Sequence, residues 1–151
     1  MQPDILKNLI AGQWCGDGEL IENCNPSDTR EVVSRHPRAR GEDVQRAIAA
    51  ARGAFPVWSR TPTQRRADIL DAAASEILAR REELGRLLSR EEGKTLVEGI
   101  GEVSRAGQIF RFFAGEAVRL SGEAGESIRP GVRVEVSREP LGVVGLITPW
   151  N

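Results

Sequence analysis

The first forty residues alternate apolar and polar positions in short runs. Asn8 to Trp14 and Glu19 to Asn23 are mixed-apolar stretches separated by Gly16-Asp17-Gly18, a spacing that predicts a small hairpin or a pair of edge strands. Asn25-Pro26-Ser27-Asp28 predicts a turn, and Val32-Val33 another short strand. From Gly41 the period lengthens to that of a helix. Glu42 and Asp43 place acids at its positive end, Val44, Ala47, Ile48 and Ala51 form an apolar stripe expected to be buried, and Pro56 predicts a stop near Phe55. A second helix is predicted to start at Thr61-Pro62-Thr63-Gln64, with Thr61 as N-cap, Pro62 at the first helical position and Gln64 completing a capping box. Leu70, Ala74, Ile77, Leu84 and Leu88 carry its stripe as far as a stop at Gly93, with Arg80, Arg81, Glu82 and Glu83 in mid-run. Thr95-Leu96-Val97-Glu98 repeats the capping-box logic for a third helix. Its stripe is Leu96, Ile100, Val103, Phe110, Ala114 and Ala117, while Gly99, Gly101 and Gly107 weaken it and imply support from a closely packed neighbour.

After Ser121 the period shortens to two. Val132, Val134 and Val136 interleave with Arg133, Glu135 and Ser137, predicting a strand with one solvated face. Leu141 to Ile147 is then almost continuously apolar, as in a strand buried on both faces of a parallel sheet. A parallel strand needs a crossover connection and a partner, and none follows it in these 151 residues, so the reading at this stage is of an incomplete sheet.

Composition narrows the function classes. With 21 Lys and Arg against 22 Asp and Glu, the formal net charge of -1 provides no global basic field for nucleic acid or anionic lipid. A hydrophobic share of 40% and a charged share of 28% suit a soluble globular chain. No leader-like or membrane-spanning apolar run is present, so a cytoplasmic address is expected. Two cysteines, Cys15 and Cys24, and the single His36 cannot complete a four-ligand zinc site, and no metal is expected.

Most candidate chemistry fails on its surroundings. Glu92-Gly93-Lys94-Thr95 ends like a phosphate-binding loop, but Leu88 stands where the upstream glycine is required, and a helix precedes it instead of a strand. The simpler reading is a helix stop followed by the next helix's cap. Neither cysteine has a sequence signature that supplies a base or a positive field to form thiolate. His36 lies among Ser34, Arg35, Pro37 and Arg38 in an exposed-looking loop, and the carboxylate pairs Glu82-Glu83 and Glu91-Glu92 read as solvated helix positions. What remains is the run from Glu139 to Asn151. It reads either as a strand delivering the Asn151 amide to the carboxyl end of a sheet, where open α/β sheets bind ligands, or as a core strand ending in a turn-forming Asn151 and a core-filling Trp150. The residues alone leave both open.

Glu139-Pro140-Leu141-Gly142-Val143-Val144-Gly145-Leu146-Ile147-Thr148-Pro149-Trp150-Asn151 resembles the aldehyde dehydrogenase superfamily segment E-P-x-G-V-V-G-x-I-T-P-W-N. Asn8 to Trp14 is similar to the family's opening I-x-G-x-W, and Asn25-Pro26 to its following N-P. Glu42-Asp43-Val44, Ala49-Ala50-Ala51-Arg52 and Phe55-Pro56-Val57-Trp58 resemble its first helix and exit, and Glu91-Glu92-Gly93-Lys94 and Phe113-Ala114-Gly115-Glu116-Ala117 continue the match. The resemblance implies an α/β fold that is the N-terminal part of the aldehyde dehydrogenase fold. Residues 1–120 are expected to supply strands and amphipathic helices of a Rossmann-like cofactor domain, 121–139 part of a β oligomerisation arm, and 140–151 an early strand of the sheet, cut short.

The function it implies is NAD- or NADP-dependent oxidation of an aldehyde to a carboxylic acid, in a homodimer or homotetramer with no nucleic-acid or membrane partner. In that mechanism a cysteine thiolate attacks the aldehyde, hydride passes to the nicotinamide, and a glutamate-activated water hydrolyses the thioester. Asn151 matches the asparagine whose amide stabilises the oxyanion, and Ile147, Thr148, Pro149 and Trp150 match the stretch lining the cofactor cleft. The family's nucleophile, base and cofactor-binding lysine would lie beyond Asn151, so the 151-residue chain alone is expected to be inactive. Asn25 to Thr29, Leu88 to Leu96 and Phe113 to Ala117 look closest to 2-oxoglutarate semialdehyde dehydrogenases, with Arg105 or Arg111 as candidates for a substrate carboxylate. The competing reading is a non-enzymatic assembly module whose arm strands pair with partners edge to edge.

Overall fold

The computed structural model describes residues 4–148. Its elements run β1 (Asp4–Ile5), β2 (Asn8–Ile10), β3 (Gln13–Cys15), β4 (Leu20–Cys24), β5 (Val32–Pro37), α1 (Gly41–Trp58), α2 (Thr63–Ala79), α3 (Arg81–Glu92), α4 (Leu96–Val118), β6 (Glu123–Glu126) and β7 (Arg133–Val136). The chain mixes helices and strands, as expected of an α/β fold.

Of the two arrangements expected of Asn8 to Trp14 and Glu19 to Asn23, the hairpin between them does not form, and β4 instead lies at the edge of its sheet. The tight turn falls at Ala11-Gly12, whose φ values of 53° and 76° close β2 onto β3 with Ile10 opposite Gln13. Positive φ at both central residues matches the twist of a two-residue hairpin, which is why the turn sits there. β4 instead pairs antiparallel with β5, and β1 joins the other side of β5 in parallel, giving the order β1-β5-β4. Gly16 and Gly18 serve close approach. A Cβ on Gly16 would lie 2.4 Å from Cγ of Pro37, and one on Gly18 would lie 2.8 Å from the Arg38 carbonyl oxygen. The turn at Asn25 to Asp28 forms as expected, with Asp28 N–H donating to Asn25 O at 3.1 Å and Ser27 N–H to Asn25 Oδ1 at 2.9 Å.

α1 runs past its predicted stop. Pro56 lies inside the last turn, where it removes one N–H donor, and Ser59 N–H still reaches Phe55 O at 2.8 Å to complete the end. The amphipathic body of the helix outweighs the local preference of the residue before proline. Its start follows the reading, with the Asp43 carboxylate accepting from Arg40 N–H at 2.8 Å. Its stripe does not: no residue of α1 is buried, and Val44 and Ile48 remain exposed.

The second predicted helix is two. The α2–α3 junction lies at Arg80, with φ −100° and ψ 16°, inside the charged run, and the Arg80 guanidinium holds Glu83 at 2.6 Å and Glu76 at 3.6 Å. The capping box expected at Thr61 is absent because its parts are engaged elsewhere. Thr61 Oγ1 donates to Val57 O at 3.2 Å, finishing α1, Gln64 donates to Asp68 at 2.8 Å, and Pro62 occupies the cap position. Gly93 ends α3 as predicted, in the left-handed region at φ 75°. The Thr95–Glu98 capping box also forms, with Thr95 N–H donating to Glu98 Oε2 at 3.1 Å and Glu98 N–H to Thr95 Oγ1 at 3.4 Å.

The core lies where α4 crosses α2 and α3, and small residues make it. Ala67, Ala74, Gly85, Gly99, Val103, Gly107 and Ala114 are its buried positions. A Cβ on Gly99 would sit 2.5 Å from Gly85 O, and one on Gly107 would sit 2.6 Å from Leu78 Cγ. The helices approach so closely that only hydrogen fits, which offsets the propensity these glycines give up. Phe110, expected in this stripe, faces outward. β6 and β7 form an antiparallel hairpin with Glu123 opposite Val136, and every residue of both strands is exposed, including the valine face expected to be covered.

Candidate functional site

The run 139–148 follows β7 without joining a sheet. Among the described residues no backbone hydrogen bond involves 141–148, and Leu141 and Ile147 are almost wholly exposed, at 97% and 99%. The expected strand buried on both faces is therefore not formed. An apolar strand gains its stability from a neighbour on each side, and no described strand lies alongside. The segment does pass over α1. Gly142, Val143, Val144 and Gly145 line a groove of about 470 Å³ with Ile48, Arg52 and Phe55, so of the α1 stripe only Ile48 faces the apolar run across an open gap. Of the residues expected at the cofactor cleft, Ile147 and Thr148 lie on this exposed extension. Pro149, Trp150 and Asn151 lie outside the described residues.

The Gly93-Lys94 motif sits at a corner between two helices and is occupied by protein groups. Lys94 Nζ forms ion pairs with Glu92 and with Glu102, the latter at 2.5 Å, and its side chain is only 11% exposed. The two carboxylates, Glu102 before Glu92, hold the lysine above its ordinary pKa, so it stays charged and committed to them. Ser89 Oγ donates to Lys94 O at 2.6 Å, closing the corner. A lysine held this way belongs to helix packing, in agreement with the helix-stop reading of this motif.

The same corner receives the N-terminal sheet. Asn23 Nδ2 donates to Glu91 Oε1 at 2.7 Å, Arg90 Nε to Glu31 Oε1 at 2.9 Å, and Ser27 Oγ to Gly93 O at 3.3 Å. Asn25 Nδ2 adds a bond to Glu31 Oε2 at 2.7 Å, and the Asn25 and Arg90 donors hold the Glu31 carboxyl below the usual carboxylate range. A Cβ on Gly93 would meet Pro26 and Ser27 at 3.2 Å, so its absence serves both the left-handed cap and this contact. Sequence reasoning missed the clasp because its partners lie as far apart as Asn23 and Glu91.

The other candidates separate in the same way. His36 sits in β5 opposite Ile21, so it belongs to the sheet and not to a loop. Cys15 and Cys24 are half-buried free thiols on β3 and β4. Arg46 of α1 lies beside the Cys15 thiol, a proximity no local signature announced, although its main partner is the Asp43 carboxylate at 2.6 Å, the chief cause of the upward shift of its guanidinium. Arg111 is engaged by Asp71 at 3.3 Å and by Ser75 Oγ at 3.2 Å. Arg105 is exposed on α4 and has no ion pair or hydrogen bond among the described residues. Among those residues there is also no group of three or more His, Cys, Asp or Glu arranged to hold a metal ion, and no helix is long and apolar enough to cross a membrane.

The model of the aldehyde dehydrogenase family matches residues 14–151. An alpha-ketoglutarate semialdehyde dehydrogenase of Haloferax volcanii is 37% identical over 150 residues, which cover 98% of this chain and 31% of that protein. A malonate-semialdehyde dehydrogenase of Geobacillus thermodenitrificans is 40% identical over 147 residues, covering 97% of this chain and 30% of the relative. The structure also superposes on a double mutant of betaine aldehyde dehydrogenase from Staphylococcus aureus, solved in complex with NAD+, with a TM-score of 0.83 and 32% identity over 89% of this chain and 28% of that one. The chain thus spans about 30% of the length of the curated relatives it matches.

Proposed function

The chain belongs to the aldehyde dehydrogenase family, and on that premise we propose that it forms the N-terminal part of an enzyme that oxidises an aldehyde to a carboxylic acid with NAD or NADP. The observation that carries the reading is the match of the family model over residues 14–151. In this reading 1–120 belongs to the cofactor-binding domain, 121–139 to the oligomerisation arm of a homodimer or homotetramer, and 140–151 to an early strand of the cofactor sheet. The open backbone at Ile147 and Thr148 is compatible with contact to a cofactor, since no described group occupies their polar atoms. With Pro149 and Trp150 these residues would line the cleft for the nicotinamide cofactor, which supplies the hydride acceptor. Asn151 would donate its amide to the oxyanion formed when a thiolate attacks the aldehyde.

The substrate we propose is 2-oxoglutarate semialdehyde, with 2-oxoglutarate as product. Its support is the semialdehyde names carried by both relatives, one of which acts on the alpha-ketoglutarate semialdehyde itself. Arg105 is the better candidate for the substrate carboxylate, because Arg111 is already held by Asp71 and Ser75.

The test is an assay of an enzyme carrying these residues within a complete aldehyde dehydrogenase chain, following NAD+ and NADP+ reduction with 2-oxoglutarate semialdehyde, malonate semialdehyde and an uncharged aldehyde. Asn151→Ala is expected to lower kcat about 10²- to 10³-fold, the usual loss for one oxyanion donor. Arg105→Ala is expected to raise KM for the charged semialdehydes and leave the uncharged one unaffected. Unchanged kcat in the first variant removes Asn151 from the mechanism, and equal effects on all aldehydes in the second remove the carboxylate role.

A non-enzymatic assembly role has one observation in its favour, the fully exposed β6–β7 hairpin. Edge-to-edge pairing through such strands is a recognised mode of association. A complete chain that assembles but turns over none of these aldehydes would favour it.

A further inference from the structure

We draw no further inference here: the strongest candidate, the apolar groove between the C-terminal ends of α1 and α4 and the side of α2, lined by Trp58, Ile69, Leu70, Phe112, Phe113 and Leu120, is an unpartnered face, and nothing in the structure shows what covers it.

Discussion

Gly99 and Gly101 occupy the same helix for different reasons. A methyl group on Gly99 would be driven to 2.5 Å from the Gly85 carbonyl oxygen, whereas one on Gly101 would meet nothing within 4 Å. Gly99→Ala should therefore destabilise the chain by about 1 to 3 kcal/mol, the usual range for overpacking a tight contact. Gly101→Ala should stabilise it by about 1 kcal/mol through helix propensity alone. Denaturant unfolding of the two variants beside the parent checks the pair, and equal changes would show that the α3–α4 approach is looser than the structure has it. The sequence marked these glycines as weak points needing a neighbour. It could not say which of them had one, because the spacing of Gly99 and Gly101 does not reveal where Gly85 lies.

At the scale of elements, helix ends were legible where their chemistry is local. Gly93 and the Thr95–Glu98 box act within a few residues, and both appear as read. Thr61 and Gln64 had an equally good local pattern, yet the short link to α1 drew Thr61 to Val57 O instead. Strand pairing was harder to read, since β4 could turn back on β2 or pair with β5, and contacts between the β4–β5 hairpin and distant elements bear on the choice. The polar clasp between the β4–β5 turn and the α3–α4 corner is such a contact, and it should respond to pH. Because the folded pKa of Glu31 lies below its ordinary 4.5, its contribution is present above that value and is lost as pH falls through it and then through the lower folded pKa. Glu31→Gln should accordingly be less stable than the parent at neutral pH, with the gap shrinking below about pH 4.5. Thermal unfolding of both proteins from pH 7 to pH 3 measures this, and a gap that stays constant with pH would assign no role to the carboxylate charge.

For the molecule as a whole, the balance of buried and exposed apolar surface is the unusual feature. Among the described residues the largest buried core side chain is valine, while Trp14, Phe112, Leu141 and Ile147 are among the exposed apolar residues. Amide exchange should find the central turns of α2 and α4 protected and residues 141–147 exchanging at the rate of open chain, because the latter make no backbone hydrogen bonds among the described residues. Protection of 141–147 in the 151-residue chain would mean that the run finds a strand partner in solution. The same polypeptide should reduce neither NAD+ nor NADP+ with an aldehyde above the level of an Asn151→Ala control. Among the described residues the Cys24 thiol makes no side-chain hydrogen bond, and the positive neighbour of Cys15 is already engaged by Asp43. Aldehyde-dependent reduction well above that control would show that the chain carries a nucleophile of its own.

Features that depend on near neighbours or on long specific patterns are legible in the sequence. They include the helical periods, the caps at Gly93 and Thr95, the alternation of β7 and the family resemblance that runs through Glu139 to Asn151, since each is written within a few consecutive residues. Tertiary contacts settled that β4 pairs with β5, that Asn23, Ser27 and Glu31 clasp the α3–α4 corner, that Gly85 and Gly99 meet, and that Ile48 of α1 faces the groove beside residues 142–145. Those outcomes depend on which distant surfaces meet, and the free energy of such a meeting belongs to both partners and is not written in either segment alone.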